Sequence, residues 1–79
     1  MPSEYTSDAL HKDGEYLARA FHLHYEAFAP LYNYETRKES RVEWEDVPQA
    51  NKDLMVAVAK QLLVNRIVTL REDLRATKD

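Results

Sequence analysis

Five side chains in this sequence have the chemistry to hold a small anionic aromatic ligand: Tyr34, Arg37, Trp44, Asn51 and Met55. Tyr34 and Trp44 offer flat faces for stacking, and Arg37 offers a planar fork of N–H donors suited to phosphate or carboxylate. These three sit in a stretch, residues 30–48, that is bounded by Pro30 and Pro48 and also carries Tyr32, Lys38, Arg41 and five carboxylates. Asn51 and Met55 follow in the first turns of a helix that opens after Pro48, whose unpaired N–H groups favour anions. Aromatic plates, an arginine fork and a helix N-terminus together suit a nucleotide-like anion. A structural reading stands beside this one. Trp44 and Tyr34 would fold back as an apolar plug at the open end of a helical hairpin, with Arg37 paired to a neighbouring acid.

Other constellations carry less. His22 and His24 are two residues apart, which on a helix turns them roughly 200° from each other. His22 and Glu26 have the i, i+4 spacing of helical metal pairs, but two ligands do not close a site. No metal is expected. His24 is read as a core histidine hydrogen-bonded across an interface. The chain has no cysteine, no Gly-x-Ser-x-Gly elbow and no phosphate loop, and Glu43 and Glu45 are ordinary for a helix start. A non-enzymatic protein without a cofactor is expected.

The elements that must position these residues are helical. Residues 1–6 read as a frayed lead-in, and Ser7 with Asp8 as a helix start. Leu10, Gly14, Leu17, Phe21, His24, Phe28 and Leu31 then recur at spacings of four and three, an apolar seam along one face. Gly14 weakens that pattern and could delay the start; Pro30 should kink or end the helix. A second stripe, Ala18, Tyr25, Ala29 and Tyr32, widens the apolar face. Asp46 and Gln49 have capping-box spacing for a second helix, and no glycine or proline follows it to the chain end. This second helix is apolar over much of its circumference. Val56, Leu63, Ile67, Leu70 and Leu74 are more than one partner helix can cover, which points to self-association through them. Acids near the start of helix one (Asp8, Asp13, Glu15) and bases near the end of helix two (Arg66, Arg71, Arg75, Lys78) favour antiparallel packing.

The expected fold is therefore all-α: one domain over residues 1–79, an antiparallel hairpin of two long helices with an ordered aromatic connector, assembled into a homo-oligomer. Helix one covers about 8–32, the connector about 33–46 and helix two about 47–76. At 79 residues the chain builds only a small core, and with no disulfide available oligomerisation is the common reinforcement. A net charge of −3 with both signs interspersed opposes sequence-specific nucleic-acid binding. No apolar run reaches the roughly 20 residues of a membrane span, and the polar start is unlike a secretory signal. A cytoplasmic protein is expected.

Four strings in order carry a resemblance: Tyr25-Glu26-Ala27-Phe28-Ala29-Pro30, Tyr34-Glu35-Thr36-Arg37, Trp44-Glu45-Asp46-Val47-Pro48 and Asn51-Lys52-Asp53-Leu54-Met55. Over residues 22–63 the chain resembles a family of very small bacterial and bacteriophage proteins. Their pattern runs Tyr-Glu-x-x-Ala-Pro, aromatic-Gly-Tyr-x-Thr-Arg, Trp-x-x-x-Pro, Asn-x-x-Leu-Met. Asn33 stands where that pattern has glycine, and asparagine can replace glycine at a left-handed backbone position. More distantly, the order of histidine, tryptophan and proline is similar to bacterial ryanodine-receptor-repeat-like domains, proposed to sense nucleotide-derived ligands. The resemblance implies a binder of a nucleotide-derived signalling molecule, possessed by a phage to sequester a host defence signal in the host cytoplasm. From a different class comes a second expectation, an oligomeric protein-interaction module that grips a host or phage protein through the apolar surface of helix two.

Overall fold

In the computed structural model, which describes residues 6–76, the first helix opens on Thr6 rather than Ser7. The Thr6 Oγ1 accepts the Ala9 N–H at 3.0 Å, satisfying one of the donors left open at a helix start. The helix, α1, spans Ser7–Phe28 and runs unbroken through Asp13 and Gly14. Pro30 has no N–H to continue it, so the chain tightens into a 3₁₀ turn, Ala29–Tyr32. Asn33 then takes the left-handed conformation, φ 57° and ψ 32°, and the Tyr34 N–H returns to the Ala29 carbonyl at 2.9 Å.

Two short 3₁₀ turns, Lys38–Ser40 and Trp44–Asp46, carry the connector to the second helix, α2, Gln49–Val64. The expected capping box is not formed. Asp46 closes the preceding turn, Pro48 occupies the cap position without a side-chain hydrogen bond, and Gln49 instead donates to Asp53 at 2.8 Å.

The expected long second helix is corrected: α2 ends at Val64, not near residue 76. Arg66 adopts φ 57°, its N–H donates to the Leu63 carbonyl, and the Ile67 N–H reaches the Leu62 carbonyl at 3.0 Å. These are the two bonds of a Schellman stop, normally built on glycine. The β-branched run Ile67, Val68, Thr69 disfavours helix beyond it. The chain instead turns back through a 3₁₀ turn, Glu72–Leu74, to the start of α1. There the Ala76 N–H donates to Asp13 Oδ1 at 2.7 Å. Asp13 is only 1% exposed, the most completely buried large side chain among the described residues. Arg71 pairs with Asp73 at 3.2 Å instead of with α1. Lys78 and residues 1–5 lie outside the described residues.

The described residues are all helix and connection, with no strand. Gly14 lies against Lys60, and Phe21 shares a cavity wall with Asn51 and Met55, so the two helices run antiparallel. A Cβ on Gly14 would stand 2.5 Å from Lys60 Cγ and 3.4 Å from the Val56 carbonyl oxygen. Glycine there costs helix propensity but lets α2 approach closely. The core is small-residue packing around one large ring: Ala18, Val56 and Ala59 with Trp44, flanked by Leu17 and Met55.

Two further expectations about the apolar faces are corrected. Val56 and Leu63 are buried inside this chain's own fold and are not open to a second copy; Leu70 and Leu74 are half-covered, and only Ile67, at 67%, stands exposed. The turn after Val64 removes the continuous outer stripe on which that surface depended. On α1 the seam is covered only in its first half. Phe21, His24, Phe28 and Leu31 are exposed, because α2 starts level with Phe21 and nothing helical lies beyond it. His24 stacks on Phe28, 6.2 Å between ring centres, and is not a core histidine.

Candidate functional site

The connector runs back along α1 and is tied to it at three levels. Thr36 Oγ1 donates to Glu26 Oε1 at 2.8 Å, and His22 Nε2 lies 2.7 Å from the Val42 carbonyl oxygen. A carbonyl only accepts, so Nε2 carries the proton and the histidine tautomer is set by the contact. One helical turn earlier, Arg19 meets Glu45 at 3.0 Å. Arg41 braces the strap from within: its Nε donates to the Thr36 carbonyl at 2.9 Å, its Nη2 reaches the same oxygen, and Glu35 lies 3.7 Å away. Below these ties Trp44 drops into the core, 7% exposed, its ring edge-on to His22 at 6.0 Å.

Where α1, the strap and the start of α2 meet there is a cavity of about 370 Å³. Tyr34, Arg37, Asn51 and Met55 all line it, so four of the five side chains singled out from the sequence come together. Trp44 does not line it. It belongs to the hydrophobic core, where its ring is 7% exposed. The two readings of the connector thus divide between residues: Trp44 lies in the core, as the plug reading expects, while among the described residues Arg37 has no acid paired to it. Arg37 is exposed and makes no hydrogen bond or ion pair among the described residues.

The remaining walls come from α1. Phe21 and Tyr25, a turn apart, stack at 5.4 Å, and Tyr25 meets Tyr34 edge-on at 6.2 Å. His22, Glu26 and Thr36 add polar atoms already engaged with one another or with the strap. The Tyr34 side-chain hydrogen bond, partial burial, and the charges of Tyr34 and Glu26 raise the Tyr25 phenol above its ordinary value of 10.0. These α1 residues were missed as site members. The i, i+4 pairs Phe21–Tyr25 and His22–Glu26 were the available signal, but only the folded strap shows which helix face it covers.

A larger neighbouring groove, about 890 Å³, shares His22, Glu26, Tyr34 and Thr36 but adds the carboxylates Glu35 and Glu43. Its one cation, Arg41, is already tied to Thr36 and Glu35. The smaller cavity is therefore the one with donor capacity to offer an anion. Among the described residues no three His, Cys, Asp or Glu side chains converge for a metal ion, and no helix is long and apolar enough to cross a membrane. Compared with known protein families, curated proteins and solved structures, the chain matches none.

Proposed function

We propose that this chain is a non-enzymatic binding protein whose cavity between α1, the strap and α2 takes a nucleotide-derived small molecule and sequesters it. One observation carries the reading: an arginine with no hydrogen-bond or ion-pair partner among the described residues stands at the rim of a cavity walled by aromatic rings. In that arrangement a base would lie against Tyr34, Tyr25 or Phe21, a phosphate would meet Arg37, Asn51 would supply amide donors and acceptors, and Met55 would form a polarizable floor. The volume suits a mononucleotide-sized ligand. The resemblance to small bacterial and bacteriophage proteins supports the same class, and with it a counter-defence role in the host cytoplasm. We take the working form to be a homo-oligomer.

A second reading, a module that grips a host or phage protein through α2, has its own support: Leu54 and Val58 stand exposed on that helix. The two separate in a thermal-shift screen of cyclic and linear nucleotides. A binder gives a marked shift with a particular nucleotide, and Arg37→Ala abolishes it. If no nucleotide moves the wild-type curve and a protein partner co-purifies, the second reading replaces the first.

A further inference from the structure

The seam of α1 continues past the point where α2 begins. At Gly14 it lies against α2, and Leu17 packs on the core. The seam continues through Phe21, His24 and Phe28, and with Tyr25 and Tyr32 of the neighbouring stripe and Tyr34 these line a further, largely apolar groove. Phe28 is 55% exposed, Leu31 73% and Tyr32 80%. Such rings bury on the order of 150–250 Å² when covered. The uncovered half of the seam thus offers each copy an area comparable with the roughly 800 Å² per partner of a standard interface.

We infer that a second copy of this chain covers this face, α1 against α1, in an antiparallel two-fold pairing. Continuity with the α1–α2 interface is the first argument: the helix presents one seam, and only half of it finds a partner among the described residues. Charge is the second. Between residues 20 and 32 the sole charged side chain at neutral pH, histidines neutral, is Glu26, and its carboxylate is engaged by Thr36. Nothing on the stretch from 20 to 32 repels its own copy, and a charged partner would find no charge there to pair with. A two-fold axis near Tyr25 sets Phe21 of each chain beside Phe28 of the other, so the same few rings make the whole contact. This places self-association on α1, away from the residues the sequence had suggested on α2.

The test is sedimentation equilibrium of the full chain without added ligand. The wild type is expected at the mass of two chains. Phe28→Glu is expected to sediment as one chain while keeping its helical circular dichroism, and Tyr32→Glu, at the most exposed position, to do the same. Ile67→Glu should leave the dimer intact. A wild type that remains monomeric at tens of micromolar overturns the proposal, as does a dimer that survives both α1 substitutions or is lost with Ile67→Glu. A monomer that instead floats with phosphatidylcholine vesicles assigns the face to lipid and overturns it equally. Phe21 and Tyr25 border both this face and the ligand cavity, whereas Phe28 and Tyr32 do not line that cavity; the dimer is read on Phe28 and Tyr32 and the nucleotide on Arg37, so a failed dimer and a failed nucleotide reading are distinguishable.

Discussion

Replacing Trp44 and Arg37 by alanine separates the two tasks of the connector. Trp44 is the one large ring in a core otherwise made of alanine, valine and leucine, so Trp44→Ala should cost about 3–5 kcal/mol, as large-to-small aromatic changes in cores do. Arg37 makes no hydrogen bond or ion pair among the described residues, and Arg37→Ala should stay within about 0.5 kcal/mol of wild type. Chemical denaturation of both variants checks this; comparable losses would return Arg37 to a structural role. At the same scale Tyr25 gives a pH signature. Its phenol is raised, so the folded state holds that proton more tightly than the unfolded chain. The contribution to stability is fully present below pH 10 and is lost as pH rises through the folded value, because the unfolded chain ionises first. Ultraviolet titration of the phenolates should show Tyr25 ionising above its ordinary value, and Tyr34→Phe should lower it toward that value. Five tyrosines titrating together would contradict the contact.

Among the elements, α1 and its exit were legible because their signals are local. Pro30 stops the α-helix, and Asn33 tolerates the left-handed turn that sends the chain back. The end of α2 was hidden, since the stop is built on Arg66 and no glycine marks it. The face of α1 that packs was misjudged for a related reason. Periodicity finds the seam, but how far along it a partner reaches depends on the length of α2. Asp13 was read as a charge near a helix start, and only the returning tail makes it a buried acceptor. That tail depends on it: Asp13→Ala leaves the Ala76 N–H without its acceptor, at a cost of about 1–3 kcal/mol. Hydrogen exchange at Ala76 should become fast in the variant while the amides of α2 keep their protection. Unchanged exchange at Ala76 would show the tail is held by other contacts.

For the whole molecule, the sequence made four cavity residues legible through residue type alone, since arginine, tyrosine and asparagine beside a helix start suggest anion chemistry before any fold is known. Trp44 carried the same signal and went to the core, because a two-helix protein of 79 residues needs a large ring between its helices more than a ligand does. What remains is a strap fixed to α1 by Glu26, His22 and Arg19, holding Tyr34 and Arg37 over the start of α2. The most direct measurement of that arrangement uses Met55. The chain has two methionines, Met1 and Met55, and Met55 forms part of the cavity wall. In a spectrum of the labelled methionine methyl groups, a nucleotide that stabilises the protein should move the Met55 signal in a saturable way, and the movement should vanish in Arg37→Ala. A nucleotide that stabilises the protein without moving Met55, or a panel in which none moves it, would contradict ligand binding in this cavity.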